Sequence, residues 1–425
     1  MKRRPRPSHS VVGVLVATAL VLAPLQASLA YLTPAERQAL ELSYEVKNPD
    51  ESYFDVAARR DLLRRTDDPL LRRIVDKLEM GLSCRRLKSQ PVLDGKLTLP
   101  SFYDNPEEWS LTVEPLLAFE QTMSDLSGAW VASGDRYYAD CLVDILEGWA
   151  KEDALYEFDF DLSRPQAWYA IESMIFSAAL AFSTVTGQVE IEPARRKVIT
   201  DWLVKTAKVH FNTPGTNPSC CNNHYYRRAL YMTIVGVVAD DDLLFRTGLR
   251  SVYSALDDLN EDGGLGLALR RGWRAIHYQN YSLLYLVMTM QVAHRQGYDL
   301  FSLKTKGRGF HEAVDFLMRS LASPYQIEGL PPGEQDLTFV NDAQYFSWME
   351  IWLSHFDNPA MERFVQLYRP TENRGAGGHT TLFFKRPVGP QAIAAQTVRA
   401  VESARMKTGV AGMRYPLLET WRRSQ

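Results

Sequence analysis

Apolar residues return at helical spacing through most of this chain, and segments with the two-residue alternation of a strand are scarce. Leu142, Ile145, Leu146 and Trp149 fall at i, i+3, i+4 and i+7, which puts them on one stripe of one helix. Leu116, Leu117, Phe119, Met123, Leu126 and Trp130 form a similar face on the preceding segment, with Pro115 expected at its start. The pattern repeats near 168–183, 192–209, 224–239, 242–258, 275–296, 308–322, 342–356 and 359–368. Breakers separate these runs: Ser133-Gly134-Asp135, Thr186-Gly187, Asn212 to Pro218, Glu261 to Gly264, and Gly307 to Gly309. Serial helices joined by short turns stack as helical hairpins. The fold predicted is all-α, an incomplete α/α toroid (barrel). No exact sequence repeat marks a regular solenoid.

Composition narrows the class. The 425 residues are 46% hydrophobic and 23% charged, which excludes a disordered or fibrous chain. Residues 1–30 hold Lys2, Arg3, Arg4 and Arg6 and no acid, so the net charge of −3 becomes −7 for the remainder. An acidic body argues against a nucleic-acid partner. The same thirty residues read as a secretory signal: a basic start, an apolar core from Val11 to Ala23, and small residues at Ser28-Leu29-Ala30 for cleavage after Ala30. A periplasmic or secreted protein with no membrane span in the mature chain is expected. Four cysteines suit an oxidising compartment. Of the three possible pairings, Cys84 with Cys141 is the one expected; the adjacent Cys220 and Cys221 could bond each other only through a strained ring. No metal site is expected, since no His-rich or C-x-x-C spacing occurs. Residues 31–385 are read as one domain with a lid loop at about 96–112. Residues 386–425 form a C-terminal extension of unassigned role.

Two segments carry the chemistry. In Cys220-Cys221-Asn222-Asn223-His224-Tyr225-Tyr226 a loop becomes a helix, with Asn222 or Asn223 a natural N-cap and His224 in the first turn. The positive end of a helix disfavours imidazolium, so His224 is suited to accepting a proton. The bland reading is a histidine that merely packs near a cap. The second segment runs Arg270-Arg271-Gly272-Trp273-Arg274-Ala275-Ile276-His277-Tyr278-Gln279-Asn280-Tyr281. If it is helical from 274, Arg274, Tyr278 and Tyr281 share a face. A guanidinium lowers the cost of a nearby phenolate and pairs with a carboxylate through two hydrogen bonds. The bland reading here is a solvated basic patch with aromatic packing.

Asn, His, Arg and Tyr together suit β-elimination next to a sugar carboxylate. The C5 hydrogen of a uronate is barely acidic until the C6 carboxylate is neutralised, which Asn and Arg can do. A His or Tyr then takes the proton, and a Tyr protonates the leaving O4. Hydrolysis would instead want two opposed carboxyl groups.

The run from Asn222 to Tyr226, followed by Arg274-Ala275-x-x-Tyr278-x-Asn280-Tyr281, resembles the periplasmic alginate lyases of polysaccharide lyase family 5. Cys141 with Trp149, Asp241 to Phe245, Glu334 to Thr338, and Trp348 also resemble family segments, and the likeness covers roughly residues 96–385. The resemblance implies an α/α toroid that cleaves polyuronates without a metal or cofactor. Asn223 and Arg274 would neutralise the carboxylate, His224 would act as base, and Tyr281 as acid, or as both acid and base in a syn-elimination. Tyr103, Trp168, Asn222, Arg271 and Tyr278 are the expected substrate-binding residues. One departure stands out. Relatives that act on mannuronate carry Lys-Tyr in the lid, where this chain has Phe102-Tyr103. Poly-mannuronate is therefore held beside another polyuronide such as polyglucuronate. Arg227, Arg228, Arg270, Arg271 and Arg274 are expected to make the cleft locally basic despite the acidic body.

Two other functions remain open to these residues. One is an inverting glycoside hydrolase using Glu261, Asp262, Glu334 or Asp336. The other is a non-catalytic scaffold of an exopolysaccharide secretion complex, with Trp168, Trp273 and Tyr103 stacking on sugars. The expected partner of the lyase is an anionic polysaccharide, a polyuronate.

Overall fold

Capping side chains and prolines set where the helices begin in the computed structural model, which describes residues 34–102, 104–161, 163, 165–213, 222–325, 327, 330, 333–388 and 415–424. The first four helices are α1 (Pro34–Ser43), α2 (Val56–Arg65), α3 (Pro69–Glu79) and α4 (Cys84–Lys88). The long middle series is α5 (Pro106–Ser133), α6 (Arg136–Lys151), α7 (Gln166–Ser183), α8 (Pro193–Phe211), α9 (Asn223–Ala239), α10 (Asp242–Asp258), α11 (Gly266–Leu269) and α12 (Ala275–Arg295). The last are α13 (Phe310–Ala322), α14 (Trp348–His355), α15 (Pro359–Gln366), α16 (Thr380–Phe384) and α17 (Pro416–Arg422). The strands among the described residues are a two-residue pair, Lys304–Thr305 with Arg308–Gly309. The hairpin turns follow their sequence signals. Gly134 ends α5 at φ +72°, where a side chain would be strained, and the Asp135 carboxylate then accepts from the Tyr137 amide to start α6.

The inner helices form a ring in which α3, α5, α7, α9, α12, α14 and α16 each pack on the next, and α16 returns to α3. Helices α6, α8 and α10 back this ring from outside. The architecture is the expected α/α toroid. Residues 229–238 of α9 are buried on every side, as an inner helix flanked by both layers must be. The seam between the first and last elements is closed by polar as well as apolar contacts. Phe54 stacks on Phe383 at 4.6 Å, the Arg59 guanidinium donates to the Lys385 carbonyl at 2.9 Å, and buried Lys385 pairs with buried Asp68. Cys84 and Cys141 form a disulfide that ties α4 to α6.

The structure corrects two expectations. Pro115 lies inside α5 and does not open it: the helix begins a few turns earlier, where Asn105 accepts from the Glu108 amide. Pro115 and Leu111 are both on the exposed side, so the carbonyl that the proline leaves unpaired can meet water. For the same reason the lid loop cannot extend to 112, since α5 takes over at Pro106. The C-terminal extension, of unassigned role, ends in the helix α17. Trp421 of α17 is buried against Phe364 of α15, and its indole N–H donates to the Ala360 carbonyl at 3.0 Å. The expected signal at 1–30, Tyr103, Cys220 and Cys221 lie outside the described residues. No helix among the described residues is long and apolar enough to cross a membrane.

Candidate active site

The two segments singled out in the sequence meet on neighbouring inner helices, α9 and α12. Asn222 is the N-cap of α9, its side-chain oxygen accepting from the amides of His224 (3.0 Å) and Tyr225 (3.3 Å). That cap fixes the first turn and sends Asn223 and His224 to different neighbours. Asn223 is buried and shares a crease with Asn222, Arg271 and Tyr278. His224 turns toward α7, stacks on Tyr169 with ring centroids 3.6 Å apart, and brings Nδ1 to 3.3 Å from the Glu172 carboxylate.

Glu172 is fully buried and sits at the centre of the charge. It accepts from Arg227 Nε at 2.7 Å and from the Arg228 guanidinium at 3.0 Å. Burial pushes its carboxyl up, but His224, Arg227 and Arg228 outweigh burial and hold it down at about 2. Burial pulls the His224 imidazole below its ordinary value, against the opposing pull of Glu172. A neutral histidine beside an ionised carboxylate donates from Nδ1 and keeps the lone pair on Nε2.

Arg227 continues the chain of contacts to α12. Its terminal nitrogen donates to the Tyr281 hydroxyl at 2.6 Å and to the Tyr285 hydroxyl at 3.1 Å. His224, Glu172, Arg227 and Tyr281 thus form one continuous polar path. Tyr281 opens on a cavity of about 110 Å³ that Arg227, Glu120, Tyr345, Asn373 and Arg374 also line. Burial raises the Glu120 carboxyl above its ordinary value.

The other sequence-selected residues divide. Arg271 lies over the Tyr278 ring at 4.2 Å. Arg274 precedes α12 in a 3-10 turn, stacks on exposed Trp273 at 4.4 Å, and pairs with Asp336 at 3.5 Å. The guanidinium on the Tyr281 oxygen is Arg227's. Trp168 is a correction: it is 2% exposed, donates to the His210 carbonyl, stacks on the His210 ring and lies against the Arg228 guanidinium. It is core, and no sugar can stack on it. Arg227 and Arg228 are likewise internal, not part of a basic surface.

Glu172 was not singled out from sequence, although a signal existed. It is the only charged residue in the largely apolar run Ala167 to Phe182, and a buried charge requires a partner. Glu120, Tyr345 and Arg374 carried no comparable mark.

Asp336 does not fit the acid of an inverting hydrolase. Burial would raise it, but bonds from Thr338 and the Arg274 charge leave its carboxyl below the ordinary value, and a general acid needs the reverse.

A sequence model of the alginate lyase family matches residues 91–327. The crystal structure of alginate lyase A1-III from Sphingomonas species A1 superposes with a TM-score of 0.74 at 31% identity, covering 82% of this chain and 99% of that one. The same lyase with a histidine replaced by alanine, and with a tyrosine replaced by phenylalanine, matches equally well in complexes with a tetrasaccharide. An alginate lyase of Pseudomonas putida is 24% identical over 72% of this chain and 88% of its own length. A polysaccharide lyase of Stenotrophomonas maltophilia is 30% identical over 48% of this chain, a match spanning 60% of that protein. The chain belongs to the alginate lyase family and is a polyuronate-cleaving lyase.

Proposed function

We propose that the enzyme cleaves poly-mannuronate by β-elimination, leaving a 4,5-unsaturated uronate on the new non-reducing end. Asn223 and Arg274 neutralise the C6 carboxylate, so that negative charge developing at C5 and spreading into that group is stabilised. His224 takes the C5 proton through its free Nε2. Tyr281 gives its hydroxyl proton to O4 as the C4–O4 bond breaks. Arg271, Tyr278 and Asn222 line the crease beside Asn223 and bind neighbouring sugars. The single observation that carries this reading is the path linking His224 to Tyr281 through Glu172 and Arg227, which supports a base and an acid serving one substrate.

The secretory pattern at 1–30 supports action in the periplasm, where an exported polyuronide would be met. One observation favours polyglucuronate as a second reading: exposed Phe102 stands where mannuronate-acting relatives carry lysine, so one contact to an anionic sugar is lost.

The test is ultraviolet detection of unsaturated ends on purified poly-mannuronate, polyguluronate and polyglucuronate. Tyr281→Phe and His224→Ala are each expected to lower kcat by about 100-fold or more. Wild-type rates in both variants would overturn the assignment, and saturated products would overturn the reaction.

A further inference from the structure

Glu172 and Arg227 neutralise each other at rest, yet each also touches a group that changes charge during an elimination. Glu172 lies against His224 Nδ1, and Arg227 holds the Tyr281 oxygen. We infer that this pair is the charge-handling device of the reaction: Glu172 stabilises the imidazolium formed on His224, and Arg227 stabilises the phenolate formed on Tyr281. The inference rests on the β-elimination reading above and adds two positioning residues to it.

The step balances without a co-reactant. The C5–H electrons form the C4=C5 double bond as the C4–O4 electrons leave with oxygen. His224 Nε2 takes the C5 proton and becomes cationic. Tyr281 gives its proton to O4 and becomes anionic. Proton return from His224 to Tyr281, directly or through water, resets the enzyme. At rest the active pair is neutral, and the two buried charges satisfy one another at 2.7 Å. In the transition state each meets a new opposite charge in a water-poor site whose dipoles are already aligned. Stabilisation that grows only as the reaction proceeds raises kcat.

The surroundings support this division. His224 faces Glu172 and Tyr169 from α7, with Arg227 and Arg228 on its own helix. Around Tyr281 stand Arg227 from α9, Tyr345 from the turn before α14, and His277 and Tyr285 on its own helix. Glu120 and Arg374 line the same cavity. Arg228 ties the second oxygen of Glu172, so the carboxylate is held from both sides while one oxygen serves Arg227 and His224. A brace between α7 and α9 would need no contact with either reacting side chain.

The pH profile of kcat/KM on a polyuronide separates this device from a brace. The acid limb requires His224 to be neutral and the alkaline limb requires the acid to keep its proton. Glu172→Gln deletes a negative charge, which makes an imidazolium costlier and a phenolate cheaper, so both limbs move to lower pH. Arg227→Met deletes a positive charge, and both limbs move to higher pH. Each displacement is expected to be about one pH unit or more, with kcat falling about 100-fold or more. Arg227→Lys keeps the cation, returns the limbs close to their original positions and recovers part of kcat. Arg227→Met leaves Arg228 beside Glu172, so no carboxylate is orphaned; thermal unfolding of each variant checks the fold, and Glu172→Gln alone decides the case if Arg227→Met is not recovered. Lower kcat with unmoved limbs, or limbs moving in the same direction in both variants, would overturn the inference. If Tyr281→Phe stays active, the elimination reading itself has failed; if Tyr281→Phe is inactive and the limbs stay put, only the charge-handling roles have.

Discussion

Among the described residues, two buried guanidinium–carboxylate clusters stand out, around Arg369 and around Arg227, and only the second belongs to the site. In the first, Arg369 pairs with Glu350 through two bonds of 2.7 and 2.9 Å and with Glu362 at 2.9 Å, while Thr381 donates to Glu350 at 2.7 Å. Arg369 also donates to the Gln366 side chain. Each of these donors ends on a carboxylate or amide oxygen, groups that keep their charge. In the second, Arg227 divides its donors between Glu172 and the phenols of Tyr281 and Tyr285, and Glu172 divides its oxygens between two arginines and His224. Burial and pairing are alike, so they do not identify a catalytic cluster. What distinguishes the second is that its charges reach side chains able to gain or lose a proton.

The largest effect expected from breaking this comparison is structural. Arg369→Met leaves Glu350, 1% exposed, without its main counter-charge, and is expected to remove about 3–5 kcal/mol of stability. Turnover per folded molecule should be unchanged. Chemical denaturation together with kcat measured on the folded fraction checks both halves. A loss of kcat without a loss of stability would erase the distinction between the clusters.

Acid comes next in size. Glu172 titrates at about 2 in the folded state and near its ordinary 4.5 when unfolded. Its stabilising contribution is complete above pH 4.5 and is lost as the pH falls toward 2, on the order of 3 kcal/mol in all. His210 acts earlier. Burial pushes its imidazole down to about 4, so the unfolded chain takes up a proton first, and stability starts to fall below pH 6.5. Urea unfolding between pH 7 and 3 should show both losses, and the stability gap between the parent and Glu172→Gln should narrow below pH 4.5. A gap that stays constant to pH 3 would mean that Glu172 is not held in its ionised form by the fold.

The parts of the fold governed by local pattern were readable from sequence. Stripes such as Leu142 to Trp149, and punctuation such as Gly134-Asp135, act over a single turn and need no partner to interpret. The closure of the ring was not readable, because Asp68 and Lys385 pair across a sequence separation of 317 residues and each looks like an ordinary surface charge in isolation. Trp168 shows the same limit at the site: its residue type suits sugar stacking, but only its burial against His210 and Arg228 reveals that no sugar reaches it. Asn222, Asn223, His224 and Tyr281 were legible because a capped helix start and a helix face bring unusual residue types together within a few positions. The guanidinium on Tyr281 was sought on the same helix, at Arg274, whereas the fold supplies it from α9 through Arg227. Arg274 stands at the turn before α12, where it contacts Asp336 and Trp273.

The smallest effect is expected at a third charged cluster, between α5 and the segment before α16. Asp125, Glu372 and His379 present ligand atoms within 4.8 Å of one another, a group that on residue type alone suits a metal ion. Its geometry argues for a different use. Each carboxylate faces a different ring nitrogen, Asp125 on Nε2 at 3.4 Å and Glu372 on Nδ1 at 3.5 Å. A single ion takes one imidazole nitrogen and needs the carboxylates gathered on that side. Gln121 already donates to both acids, at 3.0 and 2.8 Å, and Ser124 donates to Glu372 at 2.8 Å, so the oxygens a metal would use are engaged by hydrogen-bond donors. The histidine therefore ties α5 to the segment before α16, as Arg369 ties its own neighbours, and sits outside the reacting path. Dialysis against EDTA should leave both the melting temperature and the polyuronide cleavage rate unchanged. A fall in either one, reversed by adding back a divalent cation, would move this cluster from the Arg369 class into the working machinery.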